Sequence, residues 1–183
     1  MSLFVTGFGP FLDVTENPSG VIAARIGLPY EVLDVTFAAA DAFLDRFAET
    51  DFDALLMIGV AANTTRMRFE TVARNVIGPT PDVAGVVMGP GPVHGPSPRQ
   101  LHSSLWEGID AWATGPFEVS VDAGTYLCNY LSYEATRRFP DRRTGFLHVP
   151  LPSPELPLEA MIAAIQELQL VAAELREKVG ESS

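Results

Sequence analysis

Three nearly continuous apolar runs constrain the fold most: LFVTGF (3–8), YEVLDVTF (30–37) and DALLMIGV (53–60). A strand wetted on one face alternates apolar and polar residues, whereas an unbroken apolar run suits a strand covered on both faces, as in a parallel sheet. Helical patterns fill the gaps. NPSGVIAARIG (17–27) opens with Asn17 as an N-cap type residue and Pro18 at the first helical position. AAADAFLDRFAET (38–50) sets Phe43 and Phe47 four apart, on one helix face. Farther on, FEVSV (117–121) alternates, a helix is predicted from about Thr125 to Arg138, and GFLHVP (145–150) reads as another strand. Residues 153–179 predict a long amphipathic terminal helix with Pro157 in its first turns. This rhythm predicts an α/β fold, a three-layer α/β/α sandwich around a mostly parallel or mixed twisted sheet.

Two stretches stand outside the rhythm. MRFETVARNVI (67–77) predicts an extended or hairpin segment attached to the core. Residues 78–98 hold 11 Gly or Pro in 21 positions, the composition of a long loop that is functional or mobile. At 183 residues the chain suits a single catalytic domain, 1–183, able to bury a core without a staple.

Charge narrows the function. The formal net charge is −11, and no basic run exceeds the pairs Arg137-Arg138 and Arg142-Arg143. That argues against nucleic acid and against an anionic membrane surface, both of which need clustered Lys and Arg. The single cysteine excludes an intrachain disulfide framework and fits a reducing compartment. The opening MSLFVTGF predicts no signal peptide, and no apolar run is long enough for a membrane span, so the expected location is cytoplasmic.

The lone Cys128 falls where a strand, the turn DAG and a helix start meet. Free backbone N–H groups and the helix dipole stabilise a thiolate there, and the same amides can hold an oxyanion. A buried structural thiol is the competing reading. Of the three histidines, His94 sits in the Gly/Pro-rich loop and His102 in a short helical stretch, both suited to solvent. His148 ends the strand GFLHVP, at the edge where open α/β sheets place their sites. An orienting acid would complete a triad, and the residues alone leave Glu70 and Asp122 as candidates.

Four blocks, VTGFGPF…NPS (5–19), RFETVARN (68–75), VSVDAGTYLCNYLSY (119–133) and GFLHVPLP (145–152), resemble the pyroglutamyl peptidase I (pyrrolidone-carboxylate peptidase) family of cysteine peptidases, in the family's order. The resemblance implies a phosphorylase/hydrolase-like α/β/α fold, homo-oligomers (dimer or tetramer), no metal and no organic cofactor. It selects Glu70 over Asp122 and implies a triad of Glu70, Cys128 and His148. The implied substrates are peptides with an N-terminal pyroglutamyl (5-oxoproline) residue. That end group is a neutral lactam, so its pocket should be aromatic with a few backbone partners. Phe8 and Phe11 are assigned to the pocket by the resemblance. Asn17 matches a family position too, although capping of the first helix explains it equally well. Tyr126 and Leu127 are expected to line the same pocket. Val60 stands where family members carry a Gln whose backbone binds the lactam, and the run after the glutamate block lacks the family's arginine. Two other readings stay open on these residues: an amidohydrolase of the same fold with altered specificity, and a catalytically weak ligand-binding relative.

Overall fold

The computed structural model describes residues 2–11 and 14–168. Its strands are β1 (Leu3–Phe8), β2 (Tyr30–Leu33), β3 (Ala54–Val60), β4 (Met67–Glu70), β5 (Val72–Arg74), β6 (Gln100–His102), β7 (Phe117–Ser120) and β8 (Arg143–Val149). Six of them form one sheet in the order β2-β1-β3-β8-β4-β7, and β5 pairs with β6 in a separate ribbon. Neighbours in the large sheet are parallel except β4 and β8, which run antiparallel.

Helices cover both faces. On one face lie α1 (Pro18–Arg25) and a terminal helix, α4, described over 158–168. On the other lie α2 (Phe37–Ala48) and α3 (Leu127–Arg138). Strands β1 and β3 feed both layers, whereas β2 lies at the sheet edge with Tyr30 and Val32 exposed, so the run 30–37 is not covered on both faces as its apolar pattern predicts. Along β3, Leu56 and Ile58 pack with Ile22 and Met161, while Leu55 and Met57 pack with Phe43 and Leu131. Parallel strands buried on both faces require this continuity.

The helix starts follow from local chemistry. The Asn17 side chain accepts from Ser19 N at 3.1 Å and caps α1, with Pro18 at its first position. The Thr36 hydroxyl accepts from Ala39 N at 3.0 Å and caps α2, so the run 30–37 stops being a strand at Leu33. A Cβ at Gly7 would stand 2.3 Å from Ser19 O. Only glycine lets α1 lie so close to β1, and this contact fixes the loop after Phe8.

Several expectations need adjusting. Residues 67–70 belong to the central sheet: Met67 and Phe69 fill one layer while Arg68 and Glu70 occupy the opposite face. Only 72–74 form an accessory ribbon. His102 ends strand β6 rather than lying in a helix, since the 3-10 turn begins at Ser104. Helix α3 starts at Leu127, two residues later than predicted. Pro157 precedes α4, with its carbonyl accepting from Met161 N at 3.2 Å; residues 169–179 of the expected helix lie outside the described residues. Among the described residues, no helix is long and apolar enough to cross a membrane.

Residues 78–86 of the Gly/Pro-rich stretch have an internal anchor. The buried Asp82 carboxylate accepts from Phe37 N at 3.0 Å, Ala84 N at 2.9 Å and Val86 N at 2.9 Å. It thereby ties the loop to the first turn of α2. Burial pushes its pKa up, but these three amides outweigh burial and hold it below the usual carboxylate range.

Candidate active site

Strands β1, β3 and β8 are parallel, so their carboxyl ends fall on one edge of the sheet. Phe8 ends β1, Val60 ends β3, and His148 is the penultimate residue of β8. Edges of this kind hold the sites of open α/β sheets.

His148 is only 6% exposed, and its Nδ1 lies 2.7 Å from Oε1 of Glu70, itself 1% exposed. The antiparallel pairing of β4 with β8 makes this possible, because it sets Glu70 opposite Phe146 on the face that carries His148. Cys128 is half-buried at the second position of α3. Its sulfur is close enough to act on the imidazole as a charge and as a hydrogen-bonding group. Burial disfavours the charged ring. The negative charge at Cys128, the interaction with its side chain and the Glu70 carboxylate together overcome that penalty and raise the His148 pKa to about 9. The imidazole is thus held between the sulfur and the acid.

Cys128 itself lies in the first turn of helix α3. Tyr126, the residue before the helix, makes no side-chain capping hydrogen bond, and the first turn has no acidic residue. The initial N–H groups of a helix lack intrahelical partners and attract negative charge.

A cavity of about 90 Å³ opens beside Cys128. It is lined by Phe8, Phe11, Asn17, Val35, Val60, Tyr126, Leu127 and Cys128. All six residues expected around a substrate pocket therefore border one space with the cysteine. The side chain of Asn17 is largely engaged: it accepts from Ser19 N and Ser19 Oγ and donates to Gly9 O at 2.8 Å. Its described bonds are those of a helix cap that also pins the loop after β1. The Tyr126 hydroxyl donates to Pro81 O at 3.1 Å, which draws the loop 78–86 to the cavity rim.

The other candidates stand apart. Asp122 is exposed and pairs with Arg74, with its Oδ1 also accepting from Gly124 N at 2.9 Å. His94 is exposed, with its Nδ1 at 3.6 Å from Glu134, and His102 is exposed at the end of β6. Sequence reasoning passed over Val35, hidden inside an apparent strand run. It also passed over Asn129, fully buried, whose side chain binds Arg74 N, Arg74 O and Val76 O at 2.8–2.9 Å. Gly59 was missed as well, although a glycine inside a strand is a recognisable sign of close approach. A Cβ there would stand 3.0 Å from Cys128 Sγ.

The chain is similar to known proteins over most of its length. The family model described as pyroglutamyl peptidase matches residues 1–174. The pyrrolidone-carboxylate peptidase of Lacticaseibacillus paracasei is 33% identical over 171 residues, covering 82% of this chain and 78% of the relative. That of Thermococcus onnurineus is 30% identical over 195 residues, covering 91% and 96%. In three dimensions, the pyrrolidone carboxyl peptidase from Thermococcus litoralis superposes with a TM-score of 0.83 at 25% identity, covering 97% of this chain and 95% of that one. With the family model matching residues 1–174 and a relative 33% identical over most of both chains, the chain belongs to the pyroglutamyl peptidase family.

Proposed function

We propose that this protein hydrolyses the amide bond after an N-terminal pyroglutamyl residue, with Cys128 as nucleophile, His148 as proton carrier and Glu70 as its orienting acid. The observation that carries the reading is the 2.7 Å contact between His148 Nδ1 and Glu70 beside a cysteine that opens into an apolar cavity.

In the reaction, His148 holds the proton of a thiolate–imidazolium pair with Cys128, and the sulfur attacks the pyroglutamyl carbonyl carbon. The carbonyl electrons move onto its oxygen, where first-turn amides of α3 receive the oxyanion; such donors are worth about 3–4 kcal/mol of barrier each. The tetrahedral intermediate collapses, the C–N bond breaks, and His148 protonates the leaving amine. Water, deprotonated by His148, then attacks the thioester. Pyroglutamate leaves, and the proton taken from water stays on His148, which restores its ion pair with Cys128. Phe8 and Phe11 form the aromatic walls for the lactam, and Val60, Tyr126 and Leu127 complete the lining. Asn17 serves by holding the loop that carries these walls. An apolar lining suits an uncharged ring and offers no carboxylate to a free ammonium.

The resemblance extends the reading to a homo-oligomer, and the single cysteine suits the reducing cytoplasm. Exposed apolar side chains at Val83, Val86, Val87 and Met88 support the assembly, and light scattering tests it. The activity is tested by fluorophore release from pyroglutamyl-, prolyl- and acetyl-aminoacyl amides. Strong preference for the pyroglutamyl amide is expected; preference for another would overturn the reading.

A further inference from the structure

The turn that carries Cys128 is braced from one side by residues 74–78, and Arg74 reaches it twice. Its backbone N–H and C=O are both bound by the side chain of Asn129, the residue after the cysteine, at 2.9 and 2.8 Å. Its guanidinium pairs with Asp122, in the turn before the cysteine. The paired Asp122 oxygen also accepts from Gly124 N, so the guanidinium steadies the DAG turn through one carboxylate. Two more bonds finish the brace: Asn129 Nδ2 donates to Val76 O at 2.8 Å, and Gly78 N donates to Thr125 O at 2.7 Å.

The brace is continuous with the acid. Glu70 lies four residues before Arg74, and Thr71 N binds Ser120 O at 2.8 Å, immediately ahead of the same turn. One segment, 70–78, thus holds His148 through its first residue and both flanks of Cys128 through the rest.

We infer that Arg74, paired with Asp122, is a positioning residue that fixes Cys128 and the first-turn amides of α3 relative to His148. The inference rests on the proposed peptidase reading for its kinetic test only. A half-exposed ion pair adds little to overall stability. Small displacements of a reacting group, in contrast, are costly in rate.

The test compares wild type with Arg74→Met, Asp122→Asn and the double variant. In each, kcat for a pyroglutamyl amide should fall about tenfold with KM within about twofold, because positioning and not binding is lost. The double variant should lose no more than either single one, the mark of a pair that acts as a unit. Alkylation of Cys128 by iodoacetamide should slow in parallel, a readout that needs no substrate. Melting temperatures should stay close to wild type. An unchanged kcat and alkylation rate, a loss confined to KM, or losses that multiply in the double variant would each overturn the inference. If wild type failed to cleave pyroglutamyl amides, the proposed function would fall, and the alkylation series alone would still decide the role of Arg74.

Discussion

Gly59 and His148 are register partners on adjacent strands, and the side chain missing at Gly59 leaves the space that Cys128 and Phe146 occupy. A Cβ at Gly59 would stand 2.7 Å from Phe146 Cζ and 3.0 Å from Cys128 Sγ. The Phe146 ring in turn meets the His148 ring edge-on, with centroids 4.9 Å apart.

Gly59→Ala should therefore push on the sulfur and on the ring beside the imidazole together. Overpacking of this kind costs about 1–3 kcal/mol of stability. Displacing the reacting groups should lower kcat by about 100-fold. Steady-state kinetics alongside a thermal melt check both, and a variant with near-normal kcat would show that the site tolerates the methyl group.

The raised His148 pKa sets the pH behaviour. Burial favours the neutral ring, yet Cys128 and Glu70 prevail and hold the proton up to about pH 9. Because this lies above the ordinary value of 6.5, the stabilisation from the bound proton is complete below pH 6.5 and is lost as pH rises through about 9. The kcat/KM profile should fall on its alkaline side near pH 9. In Cys128→Ala the largest influence raising the pKa is gone, so NMR titration should find His148 shifted back toward 6.5.

Asp82 should behave with the opposite sign. Its carboxylate pKa is depressed by three backbone amides against the pull of burial. Its stabilisation is thus present above the ordinary value of 3.8 and lost as pH falls through the folded-state value. Asp82→Asn should cost about 2 kcal/mol at neutral pH, by loss of charge-assisted bonds. In urea titrations the gap to wild type should close as the solution is acidified. KM should also rise, since the loop it anchors meets cavity residues: Val83 N bonds Val35 O at 3.2 Å, and Pro81 O bonds Tyr126.

Phe11→Ala should act mainly on binding. The ring lines the cavity and is only half-buried, which leaves surface for a lactam to cover. KM for a pyroglutamyl amide should rise about tenfold, the equivalent of roughly 1.4 kcal/mol of lost apolar contact, with a smaller change in kcat. A variant losing kcat alone would remove Phe11 from the pocket wall.

Much of this was legible in the chain because the signals are local. The apolar runs 3–8 and 53–60 announced strands buried on both faces, whereas 30–37 supplied an exposed edge strand, and Asn17-Pro18 announced the start of α1. Strand pairing is not local, so nothing near Met67–Glu70 revealed that it would enter the central sheet antiparallel to β8. The choice between Glu70 and Asp122 shows the same limit. Glu70 ends an extended run and Asp122 opens the turn after another, and only the pairing of β4 with β8 carries Glu70 to His148 while Asp122 is taken by Arg74. His102 misled for a related reason, since a ribbon between β5 and β6 rewrote a locally helical pattern as strand.

The most direct measurement is release of a chromophore from a pyroglutamyl amide by wild type and Cys128→Ala, with folding of both verified by circular dichroism. Wild type should turn over. The variant should retain the fold and lose activity by a factor on the order of 10⁴ or more. A Cys128→Ala chain that kept most of the rate would contradict the assignment of Cys128 as the nucleophile.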